Sequence, residues 1–337
     1  MRNMAAKIQI KNDSINSFGG IFFIIDQFRS SGLAALVDKL LGVKGINTKY
    51  SYSNVVENLT SVFVSGGEVL EDVNFFRQEA FKANPDYRFC SADTIGRDLR
   101  GLAVENTGFQ AVESGKTYQF NINNRLNDLL LKGLLHLGEV NKEQPVTFDY
   151  DNQFIATEKY DATYSYKKAN GYFPGIAQIN LHPFYIENRD GNANVKFEQA
   201  ETLERAFAHL KANGIKVDKA RMDCSSYSQE VVEFYNNQRG ASERTFDMQN
   251  NDFGWKHLPF SFMKENTVFM ILTALIRNFY VWLVGKIAAN KAFGLEATSR
   301  VKKFVFRFVQ VPFRWVFRSR QWHLQLYTSR PYDRLRL

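Results

Sequence analysis

Two carboxylates lie two residues apart in a short alternating segment near the middle of the chain. In 146–151, apolar residues alternate with polar ones, and this period of two predicts a β-strand with one apolar face. Asp149 and Asp151 therefore point to the same side of that strand. Because neighbouring like charges repel unless a cation lies between them, the pair indicates a metal site. The alternative is a solvated outer face of an edge strand.

Further acidic residues that can complete such a site follow later in the chain. Asp223 ends a predicted strand, and Glu243 follows Arg239 by four residues on one helical face, where the arginine can bind a phosphate or orient the glutamate. Carboxylates from different elements suit Mg²⁺ (or Mn²⁺), and two such ions can promote phosphodiester chemistry. Two alternatives stay open. Arg239 and Glu243 can form an ordinary surface ion pair, and Glu230 or Glu233 can supply the third carboxylate.

The elements that must position these carboxylates alternate between strands and helices. Strands are predicted over 147–154, 171–181, 184–187 and 215–223, with a helix over 202–212 before the last strand and another helix after it. This order predicts an α/β fold. In open α/β sheets the sites lie where the strands end, which would place both Asp151 and Asp223 there.

The N-terminal region, 1–140, is predicted to be helical and to bind DNA. Apolar residues recur at helical spacing over 19–41, 52–64, 70–81 and 121–137. Ser91 or Asp93 can cap a further helix whose first turns present Arg97 and Arg100 on one side. Such a unit after short helices is similar to a helix-turn-helix, and an ordinary capped surface helix is the alternative of equal weight.

Charge separates the C-terminal part of the chain from the rest. The 337 residues carry a net charge of +8, and the segment 277–337 alone holds thirteen Lys and Arg against two Asp and Glu. This basic excess, which includes Lys302, Lys303 and Arg307 among aromatic residues, predicts a phosphate-rich partner such as DNA. An anionic membrane is the rival partner. Because Arg277 lies in the middle of the apolar stretch 268–285, we expect a buried core helix there and no membrane span.

Composition indicates the cellular setting. Hydrophobic residues make up 45 % of the chain, which is enough for a sizeable core. Cys90 and Cys224 are far apart and form no CxxC pair, which argues against a zinc site or a disulfide framework and suits a reducing cytoplasm. The polar first twelve residues lack the apolar segment of a signal peptide.

Taken together, these residues resemble the DDE transposases of insertion sequences, of the insertion sequence family 1380 type. The resemblance covers nearly the whole chain and is carried by six short motifs at 148–151, 158–161, 185–192, 221–223, 235–243 and 250–255. It implies an RNase H-like mixed sheet over 145–255 and a basic helical C-terminal region over 256–337. It also implies metal-dependent cleavage and strand transfer at the ends of the element, with Mg²⁺ (or Mn²⁺) as cofactor.

The resemblance also assigns roles to individual residues. The first aspartate of the family's triad falls on Asp151, with Asp149 as the close alternative, the second falls on Asp223, and the glutamate falls on Glu243. Arg239 belongs to the accompanying Tyr-Arg-Glu motif. The implied partners are the terminal inverted repeats and target DNA, bound by a homodimer in the bacterial cytoplasm, at the nucleoid.

Three departures from the family pattern bear on activity. Gln153 stands where relatives often have Thr, and Tyr235 precedes Arg239 by four residues instead of three. Only 19 residues separate Asp223 from Glu243, where relatives carry a β-rich insertion, so we expect an internal deletion near 231–235. Two functions remain open: a transposase weakened by the deletion, and a non-catalytic DNA-binding derivative that inhibits intact transposase.

Overall fold

A computed structural model describes residues 15–45, 48–222 and 243–335, without the side chains of 222 and 243–246. The N-terminal part is built from helices α1 (Gly20–Ser30), α2 (Leu33–Leu41), α3 (Tyr52–Val64), α4 (Glu79–Lys82) and α5 (Ala92–Arg100), with a 3-10 helix at Leu70–Arg77. The start of α3 shows how local sequence fixes these elements. The Ser51 hydroxyl accepts a hydrogen bond from the Asn54 N–H, and the Asn54 side chain accepts one from the Ser51 N–H.

Nine strands and two helices follow. They are β1 (Thr107–Gln110), β2 (Thr117–Ile122), α6 (Asn124–Leu137), β3 (Val146–Asn152), β4 (Ile155–Ala156), β5 (Thr163–Tyr164), β6 (Asn170–Tyr172), β7 (Gly175–Ile179), β8 (His182–Arg189), α7 (Gln199–Ala212) and β9 (Val217–Met222). Six of the strands form a sheet in the order β1-β2-β8-β7-β3-β9, and β4, β6 and β5 form a separate ribbon. Only β3 and β9 pair in parallel among the described strands of the large sheet. The predicted α/β class and mixed sheet are therefore confirmed.

The two faces of β3 have different environments. Phe148 and Tyr150 lie on the face covered by α7, where the Phe148 ring is 4.5 Å from the ring of Phe207. Asp149 and Asp151 lie on the opposite face because side chains alternate along a strand. The predicted alternation is therefore confirmed, but β3 is an internal strand, paired with β7 and β9, and not an edge strand.

Along part of β8, the side chains of two asparagines form hydrogen bonds with the strand backbone where β2 no longer pairs with it. Strand β2 pairs only with 187–189 of β8 and then gives way to α6. The Asn127 side chain of α6 accepts a hydrogen bond from the Ile186 N–H and donates one to the Ile186 carbonyl. Asn278 donates to the carbonyl of Pro183 at 2.8 Å. Asparagine side chains on two helices thus supply hydrogen-bond partners for these backbone groups of β8.

After β9, the described chain resumes with α8 (Glu243–Asp252) and α9 (Met263–Ala288). Helix α9 is long and apolar enough to cross a membrane, and 83 % of its most apolar window is buried within the protein. The core helix predicted over 268–285 is therefore confirmed. At its middle, burial lowers the pKa of Arg277 to about 10, and its guanidinium donates to the Leu181 carbonyl at 3.0 Å.

The C-terminal part is not wholly helical, which corrects the prediction for 256–337. After α10 (Val301–Phe304) and a π-helical turn at Val305–Val309, the chain forms a hairpin of β10 (Phe313–Arg318) and β11 (Gln321–Leu326). Phe313, Trp315 and Phe317 alternate with other residues at period two, a strand signal that outweighs the basic composition. Phe313 and Trp315 pack against Phe22 of α1 at ring distances of 5.0 and 4.9 Å. The N- and C-terminal parts therefore share one hydrophobic core.

The N-terminal prediction also needs two corrections. Strands β1 and β2 lie within the region predicted to be helical and join the central sheet. The predicted helix-turn-helix is replaced by the simpler alternative. Helix α5 follows a four-residue helix after a connection of nine residues, whereas a helix-turn-helix joins its helices by three or four residues. The predicted cap is present, since Ser91 Oγ accepts a hydrogen bond from the Thr94 N–H.

Candidate active site

The two aspartates of β3 are held differently, although they share a face. The Asp149 residue is only 2 % exposed, and β9 brings Arg221 directly opposite it in the parallel register. Arg221 Nη2 donates to Asp149 Oδ2 at 2.9 Å, and Arg221 Nε lies 2.7 Å from Asp149 Oδ1. Both oxygens of Asp149 therefore face a guanidinium, which neutralises the charge that a metal ion would otherwise balance.

Asp151 lies one residue before the end of β3 and is only partly buried. Its Oδ1 accepts a hydrogen bond from the backbone N–H of Asn152 at 2.7 Å. The amide oxygens of Asn152 and Gln153 are buried and have no hydrogen-bond donor among the described residues. Carboxylate and amide oxygens are ligands that hard divalent cations accept, so the donors at this strand end fit Mg²⁺ or Mn²⁺.

The structure describes the other predicted site residues only in part. Strand β9 ends at Met222, which pairs with Tyr150, and Asp223 is the next residue in the sequence but lies outside the described residues. Arg239 lies outside them as well. Glu243 is the first residue of α8, and its side chain is not described. Within the ranges 15–45, 48–222 and 243–335, no three His, Cys, Asp or Glu side chains gather as a metal site would require.

A buried ion pair under the α7 face of the sheet was not foreseen from the sequence. Glu187 of β8 is fully buried, and Arg205 of α7 donates to its two carboxylate oxygens at 2.7 and 3.0 Å. The Tyr185 hydroxyl and the Thr202 hydroxyl donate to the same carboxylate at 2.6 and 2.8 Å. Burial opposes the ionisation of Glu187, but the hydrogen bonds and charge of Arg205 outweigh it and hold its pKa below the ordinary value.

This ion pair connects to β3 through one further arginine. Arg189 donates through Nη2 to the Thr202 hydroxyl at 2.7 Å and to the Tyr150 hydroxyl at 2.8 Å. Tyr150 lies between Asp149 and Asp151 in the sequence, so the network fixes the strand that carries both aspartates. The available signal was a charged pair, Glu187 and Arg189, two residues apart at the end of a strand that contains the apolar run 183–186.

Five of the basic residues predicted to contact DNA lie in the described part of the chain, and their side chains are exposed. Arg97 and Arg100 project from α5 while Ile95 and Leu99 face the core. The Arg100 guanidinium lies 5.2 Å from the centre of the Phe260 ring. Lys302, Lys303 and Arg307 are exposed on α10 and the π-helical turn that follows it. The side chains are thus accessible to a phosphate backbone.

Comparison with known proteins assigns no family to this chain. No family model matches it, and no curated protein matches it. Among solved structures, the mariner Mos1 paired end complex with Mg is matched at 9 % sequence identity and a TM-score of 0.24. The match covers 81 % of this chain and 98 % of that chain. A TM-score this low is no basis for assigning a fold or an activity.

Proposed function

We propose that this protein is a DDE transposase of an insertion sequence, with an RNase H-like core that cleaves and transfers DNA strands at the ends of the element. One observation carries the proposal: Asp151 lies at the carboxyl end of an internal strand whose parallel neighbour, β9, leads directly to Asp223. In α/β sheets this is the edge where ligands bind. The motifs around both aspartates are those that give the resemblance to the family.

The proposal assigns Asp151, Asp223 and Glu243 as metal ligands and Arg239 as a phosphate-binding or glutamate-orienting residue. Mg²⁺ or Mn²⁺ held there would activate the attacking oxygen and stabilise the leaving oxygen. Asp149 takes a different role, because Arg221 already neutralises its carboxylate. It fixes the register of β3 against β9 and so positions the two strand ends.

The second candidate function is a non-catalytic DNA-binding derivative that inhibits intact transposase. The observation that favours it is the short separation of Asp223 and Glu243, only 19 intervening residues. These residues are enough to span the site, at most about 60 Å when extended, but misplacement of a catalytic group by about 1 Å can cost about a hundredfold in rate. Both candidates bind DNA as a homodimer in the bacterial cytoplasm, and they differ in cleavage.

A metal-dependent melt tests the shared part of the proposal. Carboxylates held together repel without a cation, so Mg²⁺ or Mn²⁺ should raise the melting temperature of the protein. Asp151→Asn should abolish the shift, whereas Asp218→Asn, which removes an exposed carboxylate from β9, should leave it unchanged. An unshifted wild-type protein would overturn the metal site.

A cleavage assay separates the two candidates. DNA carrying the element's end is incubated with Mn²⁺ and the wild-type protein or Glu243→Gln. Efficient strand transfer that Glu243→Gln abolishes supports the transposase, and absent cleavage with retained, salt-dependent end binding supports the derivative. For the basic regions, Lys302→Ala with Lys303→Ala should weaken binding and reduce its salt dependence. A flat salt dependence of the wild-type protein would contradict DNA binding through phosphates.

A further inference from the structure

The ribbon of β4, β5 and β6, residues 155–172, exposes three large aromatic side chains. Tyr160, Tyr164 and Tyr166 are 84 %, 64 % and 70 % exposed, and they fall within seven residues of sequence. Phe262, 40 % exposed, contacts Tyr160 at a ring distance of 5.3 Å. Clustered aromatic exposure of this extent is uncommon on a protein surface and indicates a binding surface.

The ribbon is fixed to the rest of the molecule at its base. The Asp161 carboxylate accepts hydrogen bonds from the Met263 N–H at the start of α9 and from the Tyr172 hydroxyl. The Tyr160 N–H donates to the Ser261 carbonyl at 2.9 Å. Gly191 lies so close to the ribbon that a Cβ there would be 2.3 Å from the Gly171 carbonyl oxygen. The exposed tyrosines are therefore presented by an anchored support.

Charge on the ribbon indicates what the tyrosines bind. Lys167 and Lys168 are exposed in the turn between β5 and β6, beside Tyr164 and Tyr166. The Lys167 ammonium lies 5.1 Å from the centre of the Tyr166 ring. Aromatic faces that stack on bases, next to cations that contact phosphates, are the two features of surfaces that bind single-stranded nucleic acid.

Position relates this surface to the candidate active site. The ribbon begins at Ile155, four residues after Asp151, and Tyr172 of β6 forms a bridge with Asp190, directly after β8. The ribbon therefore leaves the sheet at the same edge as the predicted metal ligand.

We propose that Tyr164 and Tyr166, with Lys167 and Lys168, bind unpaired nucleotides of the DNA strand that lies at the active site. This inference rests on the proposed function and deepens it, because it names single-stranded DNA next to the cleavage point as the ligand. The tyrosine rings stack on the bases, and the two ammonium groups contact the phosphates. Within a duplex each base is stacked between its neighbours, so the rings gain little from duplex DNA away from its ends.

The test measures binding to two DNA probes without metal. One is a blunt duplex carrying the element's end, and the other is the same duplex with a three-nucleotide unpaired tail containing 2-aminopurine. Wild-type protein should prefer the tailed probe by about tenfold or more and quench the 2-aminopurine fluorescence, since stacking strengthens binding of each base. Tyr164→Ala with Tyr166→Ala should abolish the preference and the quenching while leaving affinity for the blunt duplex unchanged.

Matched variants separate stacking from other effects. Tyr164→Phe with Tyr166→Phe keeps both rings and should retain the preference. Tyr327→Ala, which removes another exposed tyrosine, should also retain it. Equal loss of both probes in the double alanine variant would overturn the proposal. So would an unchanged preference, or a change in self-association by light scattering that accounts for the loss, because the ribbon would then be a contact between protein copies.

The result is distinguishable from failure of the proposed function. If metal has no effect on the wild-type protein but the tyrosine-dependent preference persists, the metal site fails and the nucleotide site stands. If the wild-type protein cleaves DNA but shows no preference for the tailed probe, the nucleotide site is refuted and the proposed function stands. The same holds if the preference survives in the double alanine variant.

Discussion

The ion pair of Asp149 and Arg221, which joins β3 to β9, should contribute a measurable part of the free energy of unfolding. Arg221→Met keeps an unbranched apolar stem in place of the arginine's aliphatic part and removes the guanidinium, which leaves a carboxylate that is 2 % exposed without its cation. Removing one partner of a buried pair typically lowers the free energy of unfolding by about 3–5 kcal/mol. Because the Arg221 side chain is 25 % exposed and water screens part of the interaction, we expect about 3 kcal/mol, or a drop of about 5 °C in melting temperature.

A double-mutant cycle measures this pair. Urea unfolding of Arg221→Met, Asp149→Leu and the double variant gives the coupling energy between the two side chains. The double variant should recover most of the stability, since apolar replacement of a whole buried pair is often neutral. Lys219→Met, which removes an exposed charge from the same face of β9, should change stability by less than about 0.5 kcal/mol. Additive losses in the double variant would refute the coupling.

The same variants also test the proposed roles of the two aspartates, strand positioning by Asp149 and metal binding by Asp151. If Asp149 only fixes the strands, the double variant should keep the metal-induced rise in melting temperature that Asp151→Asn loses. If the double variant loses the metal response and Asp151→Asn keeps it, Asp149 is the metal-binding aspartate and the proposed assignment is wrong.

Three more outcomes follow from the network and the packing of the sheet. Because the folded pKa of Glu187 is lowered, the stability that its carboxylate contributes is complete above the ordinary glutamate pKa and is lost as the pH falls through the folded pKa. Glu187→Gln should therefore lower the free energy of unfolding at neutral pH and make it less dependent on pH in that acidic window, as measured by urea unfolding across pH. Gly175→Ala should destabilise the fold by about 2–3 kcal/mol, because a Cβ there would lie 2.2 Å from the Tyr150 hydroxyl oxygen, whereas Gly285→Ala, with open space in α9, should stabilise it by about 0.5–1 kcal/mol. Asn127→Leu should lower stability by about 2 kcal/mol, measured by urea unfolding, since two backbone groups of β8 lose their partners; equal stability of wild type and variant would contradict that role.

The sequence was informative wherever a local pattern decides the structure. Helical spacing predicted α3 at its observed bounds, and the alternation around Asp149 predicted the direction of every side chain in β3. The pattern failed where partners are distant. Strand β2 alternates Tyr118, Phe120 and Ile122 with polar residues over only six positions, and it pairs with β8, about 70 residues later. Strand β1 is four residues long and pairs only with β2 among the described strands. The β10–β11 hairpin departs from the helical prediction because the period of two at Phe313, Trp315 and Phe317 decides the local structure, and the basic composition does not.

The choice between Asp149 and Asp151 shows what kind of information a single sequence lacks. Both have the same residue type, the same strand and the same face, so alternation cannot separate them. Only the register of β9 does, because it places Arg221 opposite Asp149 and ends the described strand one residue later, at Met222. A shift of that register by two residues would put the arginine opposite Asp151 and neutralise the other carboxylate. Which of the two aspartates faces Arg221 is therefore a property of strand pairing, and the proposed division between a structural and a metal-binding aspartate starts from that pairing.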